Sequence, residues 1–249
     1  MPITIESPQD QILLGAEELR QDAFSAFGTV IENPVPSLVP APHIEVLPPT
    51  AVQANQGSAL KYLDVTHMKD LYASAPSGKQ AKAVMNMFVC APRSLLPSQG
   101  SNNTEGRFPV GILERHPYTT QTFIPLGISQ SEVCEARYLV IVAPSLPPSR
   151  GDEPLPCPTG GDLPGRGLPD LTRIKAFVAK GSQAVTYGAG TWHAPMVVVG
   201  RKPIDFVVVQ FANGVDIEDC QEVEWKKGVG EGISVAVPNA VQSKRAWKL

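Results

Sequence analysis

From residue 83 onward the chain is cut into short apolar or alternating runs, each closed by Gly or Pro, and this texture restricts the fold more than any other feature. The runs are 83–91, 110–114, 121–125, 137–143, 184–187, 196–199 and 204–211. Valine, isoleucine and aromatic residues dominate them, side chains that fit a pleated, half-buried surface. The expected fold is mainly β, a sandwich or barrel with few helices. Residues 174–178 fit either period, since Leu171, Ile174 and Phe177 have helical spacing while Ile174, Ala176 and Val178 alternate. The Lys180-Gly181 turn that follows favours a strand.

Before these runs, Leu19, Ala23, Phe24 and Phe27 recur at helical spacing, so one amphipathic helix is expected over 17–27, with Gly28 after it able to take a positive φ. Prolines at 34, 36, 40, 42, 48 and 49 make 33–50 a surface loop, because each fixes φ and removes a backbone donor. A second Pro/Gly-rich stretch, 144–169, separates strand runs that look incomplete without each other. It reads as an insertion within one domain spanning 1–249, not as a linker between two.

The net charge of −3, spread along the chain, gives no footprint for nucleic acid or an acidic membrane. No apolar run approaches the ~20 residues that cross a bilayer, and the first residues lack the basic start and apolar core of a secretory signal. A cytoplasmic location is therefore expected. The final Lys248-Leu249 shares two residues with a peroxisomal Ser-Lys-Leu signal and keeps that address as an alternative. Cys90, Cys134, Cys157 and Cys220 form no Cys-x-x-Cys pair and read as reduced thiols.

Of the four histidines, His116 and His193 lie in the richest contexts, Glu114-Arg115-His116-Pro117 and Gly190-Thr191-Trp192-His193-Ala194-Pro195. In a regular strand Glu114 and His116 point one way and Arg115 the other. The spacing resembles the cupin motifs: Glu114 and His116 occupy the first His-x-His positions, Gln121 the Glu position and Gly127 the closing glycine, while Gly190 and His193 match the second motif. Glu114, His116, Gln121 and His193 could thus hold a divalent metal such as nickel, manganese or zinc, although Gln is a weak, neutral ligand.

The same strings, with Gln121-Thr122-Phe123-Ile124-Pro125 between them, resemble the hallmark pair of the ureidoglycolate lyase family. Phe27-Gly28-Thr29-Val30-Ile31-Glu32 resembles the start of that family, and Asn55-Gln56-Gly57 with Lys61-Tyr62 resembles its Asn-x-Gly…Arg-Tyr segment. The likeness spans roughly residues 20–225, and the long 144–169 stretch is closer to the fungal than to the compact bacterial form. Lys61 replaces an Arg, and Val209-Gln210-Phe211 replaces an Asp-Arg ending. The resemblance implies a cupin-like β-barrel or jelly roll, a homodimer, and cleavage of ureidoglycolate into glyoxylate and urea within allantoin and purine breakdown.

That reaction takes a proton from a hydroxyl and delivers one to a leaving nitrogen, work suited to two histidines. His116 and His193 are the expected acid and base, with Glu114 orienting or tuning one of them. Gln121, Asn55, Lys61 and Arg115 are the candidate donors for substrate, although alternation turns Arg115 towards a dimer contact or an ion pair. Trp192 is expected either to wall the pocket or to serve as a core aromatic, and Gly188 and Gly190 to permit the turn before His193. His43 and His67 read as ordinary solvated residues, and Tyr62 as either core or site. Two alternatives stay open at this stage, a hydrolase of the same substrate that liberates ammonia and a non-catalytic cupin-like binding protein.

Overall fold

The computed structural model describes residues 2–8, 10–98, 104–129, 131–133, 135–225 and 232–240; Cys134 and the last two residues, Lys248 and Leu249, lie outside them. Strands run in chain order as β1 (Ile3–Ile5), β2 (Ile12–Gly15), β3 (Glu17–Glu18), β4 (Gly28–Ile31), β5 (Ala51–Ala54), β6 (Ala59–Tyr62) and β7 (Lys82–Cys90). They continue as β8 (Thr104–Val110), β9 (Ile112–Arg115), β10 (Gln121–Leu126), β11 (Arg137–Ala143), β12 (Lys175–Lys180) and β13 (Ala184–Tyr187). The last are β14 (Trp192–His193), β15 (Val197–Val198), β16 (Ile204–Ala212), β17 (Gln221–Trp225) and β18 (Ile233–Pro238). Among the described residues two single-turn α-helices, α1 (Gln21–Phe24) and α2 (Asp216–Asp219), and four 3-10 turns at Asn55–Gly57, Tyr72–Ser74, Arg150–Asp152 and Leu171–Arg173 complete the regular structure.

The expected mainly-β architecture is present. An eight-stranded sheet, in the order β1-β17-β9-β14-β11-β12-β3 with β15 also on β11, faces a five-stranded sheet ordered β4-β13-β10-β16-β7. Tyr138, Val140 and Val142 of β11 and Phe177 and Ala179 of β12 pack across the gap against Phe123, Val185, Phe206 and Val208. The alternate residues Leu139, Ile141, Ala143, Ala176 and Val178 point the other way and meet a second apolar layer. That layer is closed by a three-stranded sheet, β2-β18-β8. The unbroken apolar run of β11 follows directly, because a strand covered on both faces has no polar side to alternate with.

Two predicted elements differ. The helix expected over 17–27 shrinks to α1, because Glu17 and Glu18 pair in parallel with Phe177 and Val178 and the Leu19 amide donates to the Val178 carbonyl at 3.0 Å. Ladder bonds win over helical spacing there, and Leu19, Phe24 and Phe27 still reach the core. The run 110–114 is divided at Gly111, where the chain leaves the three-stranded sheet and enters the eight-stranded one. The ambiguous 174–178 segment is strand β12.

Both proline-rich stretches lack strands of their own. Residues 144–169 join the antiparallel neighbours β11 and β12 as an insertion, tied at its root by Leu146 N to Leu168 O and Asp170 N to Pro144 O, both 2.8 Å. Among the described residues no helix is long and apolar enough to cross a membrane.

Gly28 opens β4 with φ +154°, and a Cβ there would lie 1.9 Å from the Thr186 carbonyl oxygen of the neighbouring strand. Gly28→Ala is expected to destabilise the protein by about 2–4 kcal/mol, measured as a fall in the urea unfolding midpoint.

Candidate active site

The chain crosses from the eight-stranded to the five-stranded sheet at the corner between β9 and β10, and His116 stands at the start of that corner. Its backbone carbonyl accepts from Gly190 N at 2.8 Å, so the two histidine-bearing strings are tied through their main chains. Gly190 has φ +77°, the left-handed value that the 188–191 turn requires, and Thr191 N closes that turn on Gly188 O at 3.0 Å. Within the sheet His193 is directly opposite Glu114. Glu114, His116 and His193 each bring one ligating atom to within 4.8 Å of the others. The imidazole centroids are 5.6 Å apart.

Each imidazole has one nitrogen committed to the backbone: His116 Nδ1 to Asp219 O at 2.6 Å, His193 Nδ1 to Thr191 O at 2.9 Å. A carbonyl can only accept, so both Nδ1 atoms carry hydrogen and both Nε2 atoms are turned to the site. The Nε2 of His116 is buried and has no partner among the described residues. That of His193 meets two oxygens, Gln121 Oε1 at 3.2 Å and Glu114 Oε1 at 3.5 Å, and so calls for a proton or cation between them. Tyr187 lies flat on the His193 ring, centroids 3.9 Å apart, and Gln121 in turn donates to Gln210 Oε1 at 2.7 Å.

Burial, followed by the nearby His193, holds the His116 pKa below the ordinary 6.5, against the pull of Glu114 and the Asp219 carbonyl. For Glu114, burial raises the pKa but is outweighed by the hydrogen bond and charge of His193 and the charge of His116, so the carboxyl stays ionised below its usual range. The two histidines are thereby set to different tasks, one neutral with an open lone pair and one held against acceptors.

The remaining predicted residues go elsewhere. Arg115, expected to bind substrate, make a dimer contact or form an ion pair, is fully buried on the side of the sheet away from His193 and makes no ion pair among the described residues. Alternation sends it to the opposite face, and that face is covered by the chain's own insertion. Fully buried, Arg115 donates to Gln221 Oε1 (2.8 Å) and to the carbonyls of Gly165 (2.8 Å), Arg166 (3.0 Å) and Gly167 (3.1 Å). Its guanidinium carbon lies 4.4 Å from the Trp192 ring centroid, and burial pushes its pKa down to about 10. Trp192 shares this side of the sheet, buried with Nε1 on Gly167 O at 3.0 Å, so it does not wall the pocket around His193.

Asn55 and Lys61 lie exposed on the separate β5–β6 hairpin, where Asn55 serves as a turn residue with φ +49° whose carbonyl accepts from Ser58 N. Tyr62 ends that hairpin with its hydroxyl buried and without a partner among the described residues. His43 and His67 are exposed, and Cys90, Cys157 and Cys220 are free thiols. Sequence reasoning missed Tyr187, Gln210, Cys220 and Glu222. The last two stand beside Glu114, their ligating atoms and its own within 4.8 Å of one another. The alternation Gln221-Glu222-Val223-Glu224-Trp225 was the signal that could have found Glu222.

A profile of the ureidoglycolate lyase family matches residues 11–230. The chain belongs to that family. Relatives named ureidoglycolate lyase include one from Schizosaccharomyces pombe, 36% identical over 83% of this chain and 88% of its own length. Another, from Saccharomyces cerevisiae, is 34% identical over 86% of this chain and 94% of its own. A Burkholderia mallei relative of the same name is 29% identical over 79% and 81%. Among solved structures, a Lactobacillus farciminis oxalate decarboxylase formate complex aligns with 64% of this chain and 30% of its own at 11% identity, with a TM-score of 0.25, too slight a likeness to bear on function.

Arg115→Lys keeps the charge but not the planar fork, and is expected to cost about 2–4 kcal/mol, read as a lowered unfolding midpoint. A pH dependence follows from His116. With its folded pKa below its unfolded value, the unfolded chain binds more protons in the interval between them. Stability is therefore complete above about pH 6.5 and is lost as pH falls towards the folded value, whereas the lowered Glu114 acts only below about pH 4.5. Unfolding midpoints taken between about pH 7 and pH 5 should decline, and His116→Gln should flatten that decline.

Proposed function

We propose that this protein cleaves ureidoglycolate into glyoxylate and urea, with His116 and His193 as its proton carriers. Family membership and the relatives' name support the substrate. The observation that carries the chemistry is the pair of Nε2 atoms turned into one buried cluster beside Glu114, one of them without a partner.

The reacting carbon bears a hydroxyl, a carboxylate, a hydrogen and the ureido nitrogen. His116, neutral and fixed by the Asp219 carbonyl, takes the hydroxyl proton on Nε2. The carbonyl of glyoxylate forms as the carbon–nitrogen bond breaks, and the bonding pair leaves on nitrogen. His193 gives that nitrogen the proton on its Nε2, oriented by Glu114, Gln121 and the stacked Tyr187. Protonated His116 and deprotonated His193 then re-equilibrate through solvent. Positioned acid–base help of this kind supplies roughly 10²–10⁴-fold.

The same residues fit a divalent metal. The orphaned, buried His116 Nε2, the His193 Nε2 and the Glu114 carboxylate form a ligand set of the right chemistry, with the Gln121 amide oxygen as the fourth donor expected from the sequence. The chemistry such an ion supplies is Lewis-acid polarisation of the substrate hydroxyl. A homodimer working in the cytoplasm, in the breakdown of allantoin, is the setting carried by the same proposal.

The test is urea release from ureidoglycolate by the purified protein, with ammonia assayed in parallel and metal content measured with and without a chelator. His116→Ala and His193→Ala should each lower turnover at least tenfold, by roughly 10²–10⁴ if acid–base catalysis is fully lost, with the far-UV spectrum retained. Undiminished turnover in both variants would refute the assignment, and ammonia in place of urea would make the reaction a hydrolysis.

A further inference from the structure

Beside the histidine cluster, and sharing Glu114 with it, is one carboxylate that the proton transfers leave unused. Glu222 of β17 is directly opposite Glu114 in the β9–β17 ladder, so both side chains emerge on the face turned to the five-stranded sheet. Their neighbours Leu113 and Val223 point into the opposite apolar layer. Glu222 is half-buried, and its carboxylate takes part in none of the side-chain hydrogen bonds or salt bridges among the described residues.

Two carboxylates side by side with no Lys or Arg between them are mutually unfavourable. Such a pair persists when a donor-rich ligand or a cation occupies the space beside it. An independent sign of a ligand is His116, 7% exposed, whose Nε2 has no partner among the described residues and whose group of ligating atoms shares Glu114 with that of Glu222. Cys220, within the same 4.8 Å of both carboxylates, has its pKa pushed up to about 12 by burial and by the charges of Glu114, Glu222 and Asp219. It is a thiol at neutral pH, not a nucleophilic thiolate.

We infer that Glu222 is a specificity residue that reads the ureido group of the substrate, its two oxygens accepting parallel N–H bonds from the inner and terminal nitrogens. The inference rests on the ureidoglycolate reading. The ureido unit carries three N–H bonds, two of them side by side on one edge and spaced to meet both oxygens of one carboxylate, as the fork of an arginine does. With that edge on Glu222, the leaving nitrogen lies next to the Glu114–His193 pair. The substrate carboxylate is then directed away from the acidic wall, towards the Gln121–Gln210 amides across the gap.

Glu222→Gln preserves size and replaces one acceptor with a donor. The experiment measures KM and kcat for ureidoglycolate, inhibition by N-carbamoylglycine, which has the ureido and carboxylate groups without the hydroxyl, and inhibition by glyoxylate, which has no N–H. The expected result is a KM raised at least tenfold and N-carbamoylglycine inhibition weakened by a similar factor. Glyoxylate inhibition should stay within twofold, with unchanged metal content and unfolding midpoint. Glu222→Asp, which keeps the charge but withdraws it by one methylene, should show the same selective pattern more weakly. Unaltered N-carbamoylglycine inhibition would overturn the inference. So would equal weakening of both inhibitors, or loss of bound metal in the variant. If the wild-type protein releases no urea while Glu222→Gln still loses N-carbamoylglycine binding by calorimetry, the lyase reading fails and the ureido contact stands.

Discussion

The site depends on a single strand pairing, the one that sets β14 against β9 and so brings His193 level with Glu114. One residue of slip would exchange the two faces of β14, placing Trp192 in the cleft and His193 in the packed layer behind it. Two contacts fix the register from outside the ladder. Gly190 N reaches the His116 carbonyl on one side, and Trp192 is held between the Arg115 guanidinium and the Gly167 carbonyl on the other. The face that carries Glu114 and His193 is held in register because the opposite face is locked.

This division of labour explains the unusual burial of Arg115. A guanidinium buried without a carboxylate is costly unless its hydrogens are met, and here three backbone carbonyls and a glutamine oxygen meet them. Those carbonyls come from the Pro/Gly-rich insertion, whose irregular backbone has groups to spare that no ladder uses. The insertion thus completes the core behind the site, and an arginine beside the key histidine is structural.

The strand runs were legible because Val, Ile and aromatic residues cluster between breakers, and the convergence of His116 and His193 was legible because both belong to distinctive strings. Arg115 shows where such reading stops: alternation gave its direction correctly but could not tell solvent from a folded-back loop. The core reading of Trp192 held over the pocket reading for the same reason, since its side of the strand is covered by residues 25 positions away. Tyr187, Gln210 and Glu222 enter the site only through inter-strand register, a property of pairs of segments that no single segment encodes. The expected helix over 17–27 gave way where the free edge of β12 offered backbone partners to Glu17 and Glu18.

The ladder does not end at Glu222. Its strand is flanked on the outer side by β1, where Ile3, Thr4 and Ile5 run parallel to Val223, Glu224 and Trp225. This pairing joins segments more than two hundred residues apart in sequence, so it carries a loop-closure cost that the local hairpins do not. The edge that shields the acidic wall is thus held by one of the most non-local contacts of the fold, the kind whose entropy is lost before its pairing is gained.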